Sequence, residues 1–90
     1  MKRVLVLGAF DLLHWGHVRF LKAAQGFGYV HVGLSTDEFL EATKRRPVVD
    51  FVNRRQHLLE LGYTVHPRPD SDVTALFKEI APDLYACGSD

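Results

Sequence analysis

Apolar residues along this chain fall by turns in short unbroken runs and at helical spacing, which predicts strands and helices in alternation. Val4-Leu5-Val6-Leu7 is a continuous apolar run stopped by Gly8, the pattern of a strand buried on both faces. From Trp15 to about Gly26, Val18, Phe20, Leu21 and Ala24 recur at helical spacing, and Gly26 and Gly28 mark the stop. Tyr29 to Leu34 reads as a second strand. Ser35-Thr36-Asp37-Glu38 has the form of a capping box, with Ser35 and Thr36 read as caps of a short helix through Phe39 to about Ala42. Thr43 to Val49, broken by Pro47, reads as a loop. Asp50 is placed to cap a helix to about Leu61, with Leu58, Leu59 and Leu61 turned inward and Gly62 as its stop.

Tyr63 to His66 predicts a third strand, followed by a turn at Pro67-Arg68-Pro69-Asp70. Ser71 or Asp72 then caps a helix in which Val73, Leu76, Phe77 and Ile80 fall at i, i+3, i+4 and i+7. Pro82 ends that helix, and Leu84 to Gly88 predicts a fourth buried strand with Cys87 as a small core residue. Strands alternating with helices at this spacing form right-handed βαβ units. The expected fold is therefore α/β, a Rossmann-like parallel sheet of about four strands with flanking helices. A chain of 90 residues buries only about 60–65% of the surface its unfolded form exposes, so residues 1–90 are read as one domain.

Charge changes this picture in one place. Eleven basic side chains balance eleven acidic ones, which argues against a dedicated nucleic-acid or membrane-surface binder. The single Cys87 cannot form an internal disulfide and fits a reducing compartment. No apolar run approaches the ~18 residues of a membrane span, so the expectation is a soluble cytoplasmic protein. Yet Lys44, Arg45, Arg46, Arg54 and Arg55 stand against Asp50 alone in residues 44–55, while residues 56–90 carry two basic side chains against six acidic. This cationic stretch reads either as a solvated face or as a phosphate-binding one.

Candidate chemistry lies just after the first strand. In open parallel sheets, ligands occupy the crevice beyond the carboxyl ends of the strands, where neighbouring connections diverge. The segment there reads Gly8-Ala9-Phe10-Asp11-Leu12-Leu13-His14-Trp15-Gly16-His17, with two histidines flanking a glycine at a predicted helix start. Free N–H groups and the positive end of the helix dipole attract phosphate at such a start. Gly16 admits a ligand close to the backbone, and His14 and His17, three apart, can both face it. Imidazoles donate to phosphoryl oxygens and stabilise the charge that develops when an α-phosphate is attacked. Metal ligation by His-x-x-His and two unrelated histidines are the competing readings, and Gly-His at a helix start suits an anion better than a metal. Trp15 either packs under the helix or borders the ligand. His31, His57 and His66 have no motif around them and receive no role.

With these residues in order, the chain resembles the cytidylyltransferase-type nucleotidyltransferases, α/β enzymes with an H-x-G-H signature, and among them the glycerol-3-phosphate cytidylyltransferases. The resemblance runs through Phe10 to His17, Ser35-Thr36-Asp37-Glu38-Phe39, the basic loop with Arg54, and Gly88-Ser89-Asp90. It implies transfer of CMP from CTP to a phosphorylated acceptor such as glycerol 3-phosphate, with release of pyrophosphate and with Mg2+ bridging phosphate oxygens. His14, His17 and Arg45 are the implied catalytic residues. Gly8, Ala9, Phe10, Asp11, Gly16, Lys44, Arg46, Arg54, Gly88 and Asp90 are the implied nucleotide- and phosphate-binding residues, with no resident metal site and a homodimer as the expected assembly. For Asp11, a place near the acceptor or magnesium and a structural turn both remain open.

The sequence departs from the family pattern at Ala9, where Thr or Ser is usual, and in the basic loop, where Thr43 and Arg45 stand for two spaced lysines with Lys44 and Arg46 as substitutes. Leu61 to Pro67 is shortened and lacks the family's Arg-Tyr-Val-Asp-Glu-Val-like stretch. The family's further phosphate-binding segment after G-x-D has no counterpart before Asp90, so the fold is expected to be C-terminally shortened. The alternatives to a CTP-using enzyme are an ATP-using adenylyltransferase and a catalytically weak nucleotide-binding remnant that works with a partner.

Overall fold

Strand β1 (Arg3–Gly8) lies inside a four-stranded sheet of order β3-β2-β1-β4 in which every pairing is parallel. The computed structural model describes residues 2–11, 15–43 and 46–87. Around β1 the chain runs α1 (Trp15–Gln25), β2 (Tyr29–Ser35), α2 (Asp37–Ala42), α3 (Phe51–Glu60), β3 (Thr64–Arg68), α4 (Thr74–Ile80) and β4 (Leu84–Cys87).

The unbroken apolar run of β1 has its physical reason in two cores. Val4 and Val6 join Val30, Val32, Leu34, Leu21 and Leu58 on one face of the sheet, where α1 and α3 pack. Leu5 and Leu7 meet Leu76 and Ile80 of α4 on the other. Neither face of β1 meets water, so no alternation is needed. Gly28 is required where β2 begins: a Cβ there would stand 2.3 Å from the Lys2 carbonyl oxygen, the atom that accepts the Tyr29 N–H at 2.8 Å.

The structure corrects several boundaries and burials. The expected turn at Pro67-Arg68 is instead the end of β3, in register with Leu34 and Ser35. Pro67 is tolerated because β3 is an edge strand, where a missing N–H faces outward. The cap of α2 is Thr36, whose hydroxyl accepts the Phe39 N–H at 3.1 Å, while Ser35 belongs to β2 and is buried. Asp50 caps α3 as expected, accepting the Asn53 N–H at 2.9 Å. Of the three leucines expected inside α3, only Leu58 is buried; Leu59 and Leu61 are 37% and 48% exposed. Before α4, Asp72 accepts from Thr74, but the capping position itself is Val73.

The fourth strand is not buried. Leu84 and Tyr85 are 42% and 62% exposed and Cys87 is exposed, because β4 is an edge strand with β1 as its one neighbour in the sheet. With Phe20, Ala23 and Phe27 of the α1 side, Leu84 and Tyr85 line an apolar groove of about 290 Å³. Among the described residues, no helix is long and apolar enough to cross a membrane.

The topology fixes where a ligand crevice opens. From β1 the chain moves outward through β2 to β3, then returns across the sheet to place β4 on the other side of β1. The connections leaving β1 and entering β4 therefore diverge, and the switch point lies at the carboxyl ends of β1 and β4.

Candidate functional site

Ala9 and Phe10 carry the chain out of β1, and both are buried at 1% exposure. Phe10 has a left-handed backbone with φ 46°, a conformation that costs a non-glycine residue about 1–3 kcal/mol. Burial of its ring in the larger core offsets that cost. The sharp turn aims the Ala9 carbonyl at α3 and lays the Phe10 ring edge-on to the His17 ring, with centroids 5.2 Å apart. His17 stands in the first turn of α1 at 5% exposure, Gly16 beside it is exposed, and Trp15 is 75% exposed. Trp15 thus borders solvent rather than packing under the helix.

Asp11 ties this segment to the loop before α3. One carboxylate oxygen accepts the Val48 N–H at 2.9 Å and the other the Val49 N–H at 2.8 Å. Both oxygens are therefore engaged by backbone, the structural one of the two roles open for this residue. Arg46, also on this loop, is exposed.

Arg54 requires a correction. As a basic residue after a cationic loop it reads as a phosphate contact, but its side chain is fully buried. Its Nε donates to the Val49 carbonyl at 2.8 Å, and Nη1 donates to the carbonyls of Ala9 and Ser35 at 2.9 and 2.7 Å. Nη2 donates to the Asp37 carboxylate at 2.7 Å. The guanidinium thus braces the ends of β1 and β2 and the base of the loop against one another. Only a planar fork with donors on several edges can serve acceptors on three sides.

Asp37 completes the brace by accepting the Phe51 N–H at 3.1 Å on its other oxygen. Burial pushes its carboxyl pKa up, but the Phe51 N–H and the Arg54 guanidinium outweigh burial and hold it below the usual carboxylate value. The sequence offers no signal for this partnership beyond an acidic residue in the first turn of α2.

The structure therefore brings together Gly8, Ala9, Phe10, Asp11, Gly16 and His17 at the carboxyl end of β1, with Arg54 beneath them. His14, Lys44, Arg45, Gly88 and Asp90 lie outside the described residues. Among the described residues, no group of three or more His, Cys, Asp or Glu side chains is gathered to hold a metal.

The histidines without a motif are placed elsewhere. His31 Nδ1 and His66 Nε2 lie 3.0 Å apart on the sheet face opposite α1, and their ring centroids are 5.2 Å apart. That separation is close to the value for two nitrogens pointing straight at each other, so the pair shares one N–H rather than converging on a common ligand. Burial, with the nearby His66 and Arg3, holds the His31 pKa below its ordinary value. His57 is exposed in the last turn of α3. The apolar groove beside β4 is lined by Val4, Phe27 and Leu84, toward the amino ends of the strands and away from this site.

Residues 5–90 match the family described as cytidylyltransferase-like. The glycerol-3-phosphate cytidylyltransferase of Staphylococcus aureus is 41% identical over 64 residues, which is 70% of this chain and 48% of that protein. The enzyme of the same name from Bacillus subtilis is 32% identical, covering this whole chain and 73% of its own. The FAD synthase of Methanococcoides burtonii is 37% identical, covering this whole chain and 64% of its own. These matches span about half to three quarters of the relatives' lengths. Among solved structures, a lipopolysaccharide core biosynthesis protein from Thermoplasma volcanium superposes with a TM-score of 0.86 at 27% identity, over 94% of this chain and 72% of that one.

Proposed function

The chain belongs to the cytidylyltransferase-like family, and on that premise we propose that it is a nucleotidyltransferase acting on a nucleoside triphosphate and a phosphorylated small molecule. The observation that carries this reading is the braced segment after β1, which presents Gly16 and His17 at the start of α1 beside the switch point of the sheet. An oxygen of the acceptor phosphate attacks the α-phosphorus as the bond from that phosphorus to the bridging oxygen of pyrophosphate breaks. No covalent enzyme intermediate is needed, so the protein's work is alignment and charge stabilisation.

In this reading His14 and His17 donate to the triphosphate and to the charge that develops at the α-phosphate. Lys44, Arg45 and Arg46 supply the cationic side of the phosphate site. Magnesium would be held chiefly by the nucleotide with few protein ligands, and would supply neutralisation of the phosphate charge. Asp11 fits a loop anchor better than a magnesium ligand, since both its oxygens already accept backbone N–H groups.

CTP with glycerol 3-phosphate is the favoured pair, in line with the relatives from Staphylococcus aureus and Bacillus subtilis. A second pair, ATP with flavin mononucleotide, is favoured by the FAD synthase that aligns along the whole chain. Pyrophosphate release measured with each pair decides between them. Release with neither pair above that of the His14→Ala and His17→Ala variants, despite nucleotide binding, rejects the enzyme and leaves a nucleotide-binding remnant.

A further inference from the structure

We propose that Arg68, stacked on Phe39 at the carboxyl end of β3, binds the phosphomonoester group of the acceptor substrate; this rests on the transferase reading above. Arg68 is the last residue of β3, in register with Ser35 at the end of β2. It therefore stands on the rim where a parallel sheet opens to its ligands. Its guanidinium lies over the Phe39 ring at 4.7 Å from the centroid, and its Nε donates to the Asp70 carbonyl at 3.1 Å. Its own carbonyl accepts the Thr36 N–H at 3.1 Å, fastening the end of β3 to the start of α2.

Two of these contacts hold the guanidinium still, the third anchors its backbone, and none neutralises the charge. The acidic side chains next along the chain are turned elsewhere: Asp70 accepts the Asp72 N–H, and Asp72 accepts from Thr74. Among the described residues no carboxylate pairs with Arg68 and no group accepts from its Nη1 or Nη2. A planar guanidinium fixed on an aromatic ring, with both terminal nitrogens unspent, is arranged for bidentate recognition of a phosphate. Arg54 makes the contrast, since its guanidinium is buried among protein acceptors.

Position then selects the acceptor rather than the nucleotide. A nucleotide at the β1/β4 switch point lies two strands away from Arg68, on the far side of β2. With adjacent strands about 4.8 Å apart, the end of β3 is displaced roughly 10 Å from that of β1. In-line displacement requires the acceptor to approach from the side of the α-phosphate opposite the departing pyrophosphate, and the end of β3 stands on the side of β1 away from β4.

The test is calorimetric titration of the intact chain with glycerol 3-phosphate and with flavin mononucleotide, each in the presence of a non-reacting methylene analogue of the matching nucleotide. Arg68→Ala should weaken phosphomonoester binding about 10- to 100-fold, as expected for lost hydrogen bonds to a charged group, and leave nucleotide affinity within about twofold. Arg68→Lys should recover only part of the loss, and unphosphorylated glycerol should bind neither protein. In turnover, the Arg68→Ala defect should fall on the acceptor KM, with the nucleotide KM unchanged. Unchanged phosphomonoester affinity in Arg68→Ala, an equal loss for nucleotide and acceptor, or no phosphomonoester binding by the parent protein overturns the assignment. Binding that depends on Arg68 without any pyrophosphate release would instead overturn the transferase reading and leave the anion site standing.

Discussion

Replacing Arg54 by methionine keeps much of the side-chain volume and removes the guanidinium from beneath the site. The buried carbonyls of Ala9 and Ser35 and the part-buried carbonyl of Val49 lose their donor, and the Asp37 carboxylate loses its counter-ion. Leaving a buried acceptor unsatisfied costs about 1–3 kcal/mol, and breaking a buried ion pair by removing one partner about 3–5 kcal/mol. These losses overlap, and the 30% exposure of Asp37 screens its share, so a net loss of about 3–5 kcal/mol is expected. For a chain of 90 residues, total stability should be roughly 5–13 kcal/mol, so this one side chain supplies a large fraction. Urea unfolding should show a midpoint lower by about 1 M or more, and thermal unfolding a Tm lower by at least about 12 °C. Arg54→Lys should recover less than half, because an ammonium cannot reach acceptors on three sides. A midpoint unchanged within about 0.3 M, with weakened nucleotide binding, would refute the brace and restore Arg54 as a phosphate contact.

Three further outcomes follow from the same geometry. Asp11→Ala should release the Val48 and Val49 amides, accelerating their hydrogen exchange at least about tenfold and costing about 1–2 kcal/mol in urea unfolding. Gly28→Ala should destabilise by about 1–3 kcal/mol, since the new Cβ would meet the Lys2 backbone rather than a yielding side chain; an unchanged urea midpoint would contradict that close approach. The His31 pKa is held down in the folded chain by burial, His66 and Arg3, so its stabilising contribution is present above the unfolded histidine value of about 6.5 and is lost as pH falls through the lower folded value. His31→Asn should flatten the slope of stability against pH across that window, and imidazole NMR titration should report the lowered pKa directly.

Local pattern carried the fold well and the site only in part. The run Val4 to Leu7 and the periodic apolar residues of α1 and α4 define elements because each side chain's burial follows from its neighbours in sequence. The exposure of Leu84 and Tyr85 was not legible, because an apolar residue on an edge strand reads like one in a central strand, and Leu59 sits beside the buried Leu58 on α3 with nothing in the sequence to tell which of the two faces the sheet. The segment from Gly8 to His17 was legible as a site because its chemistry is contiguous. Arg54 was misread for the opposite reason: its acceptors at Ala9, Ser35 and Asp37 lie 45, 19 and 17 positions away, and a positive charge in a helix does not declare whether it faces phosphate or a buried carbonyl. Arg68 was hidden by its proline neighbours, which make the end of an edge strand look like a turn.

The pairing of β1 with β4 has a consequence for synthesis of the chain. Val4 lies in register with Leu84, and the Arg3 N–H donates to the Asp83 carboxylate 80 positions away. As the chain leaves the ribosome, β1, β2 and β3 can associate in the order they appear, but Leu5, Leu7 and one edge of β1 stay uncovered until α4 and β4 follow. At translation rates of about 5–20 residues per second, that interval is roughly 4–15 s. For that time the nascent chain carries an unpaired strand edge with the apolar Leu5 and Leu7 uncovered, and a chaperone that shields extended apolar segments would act there.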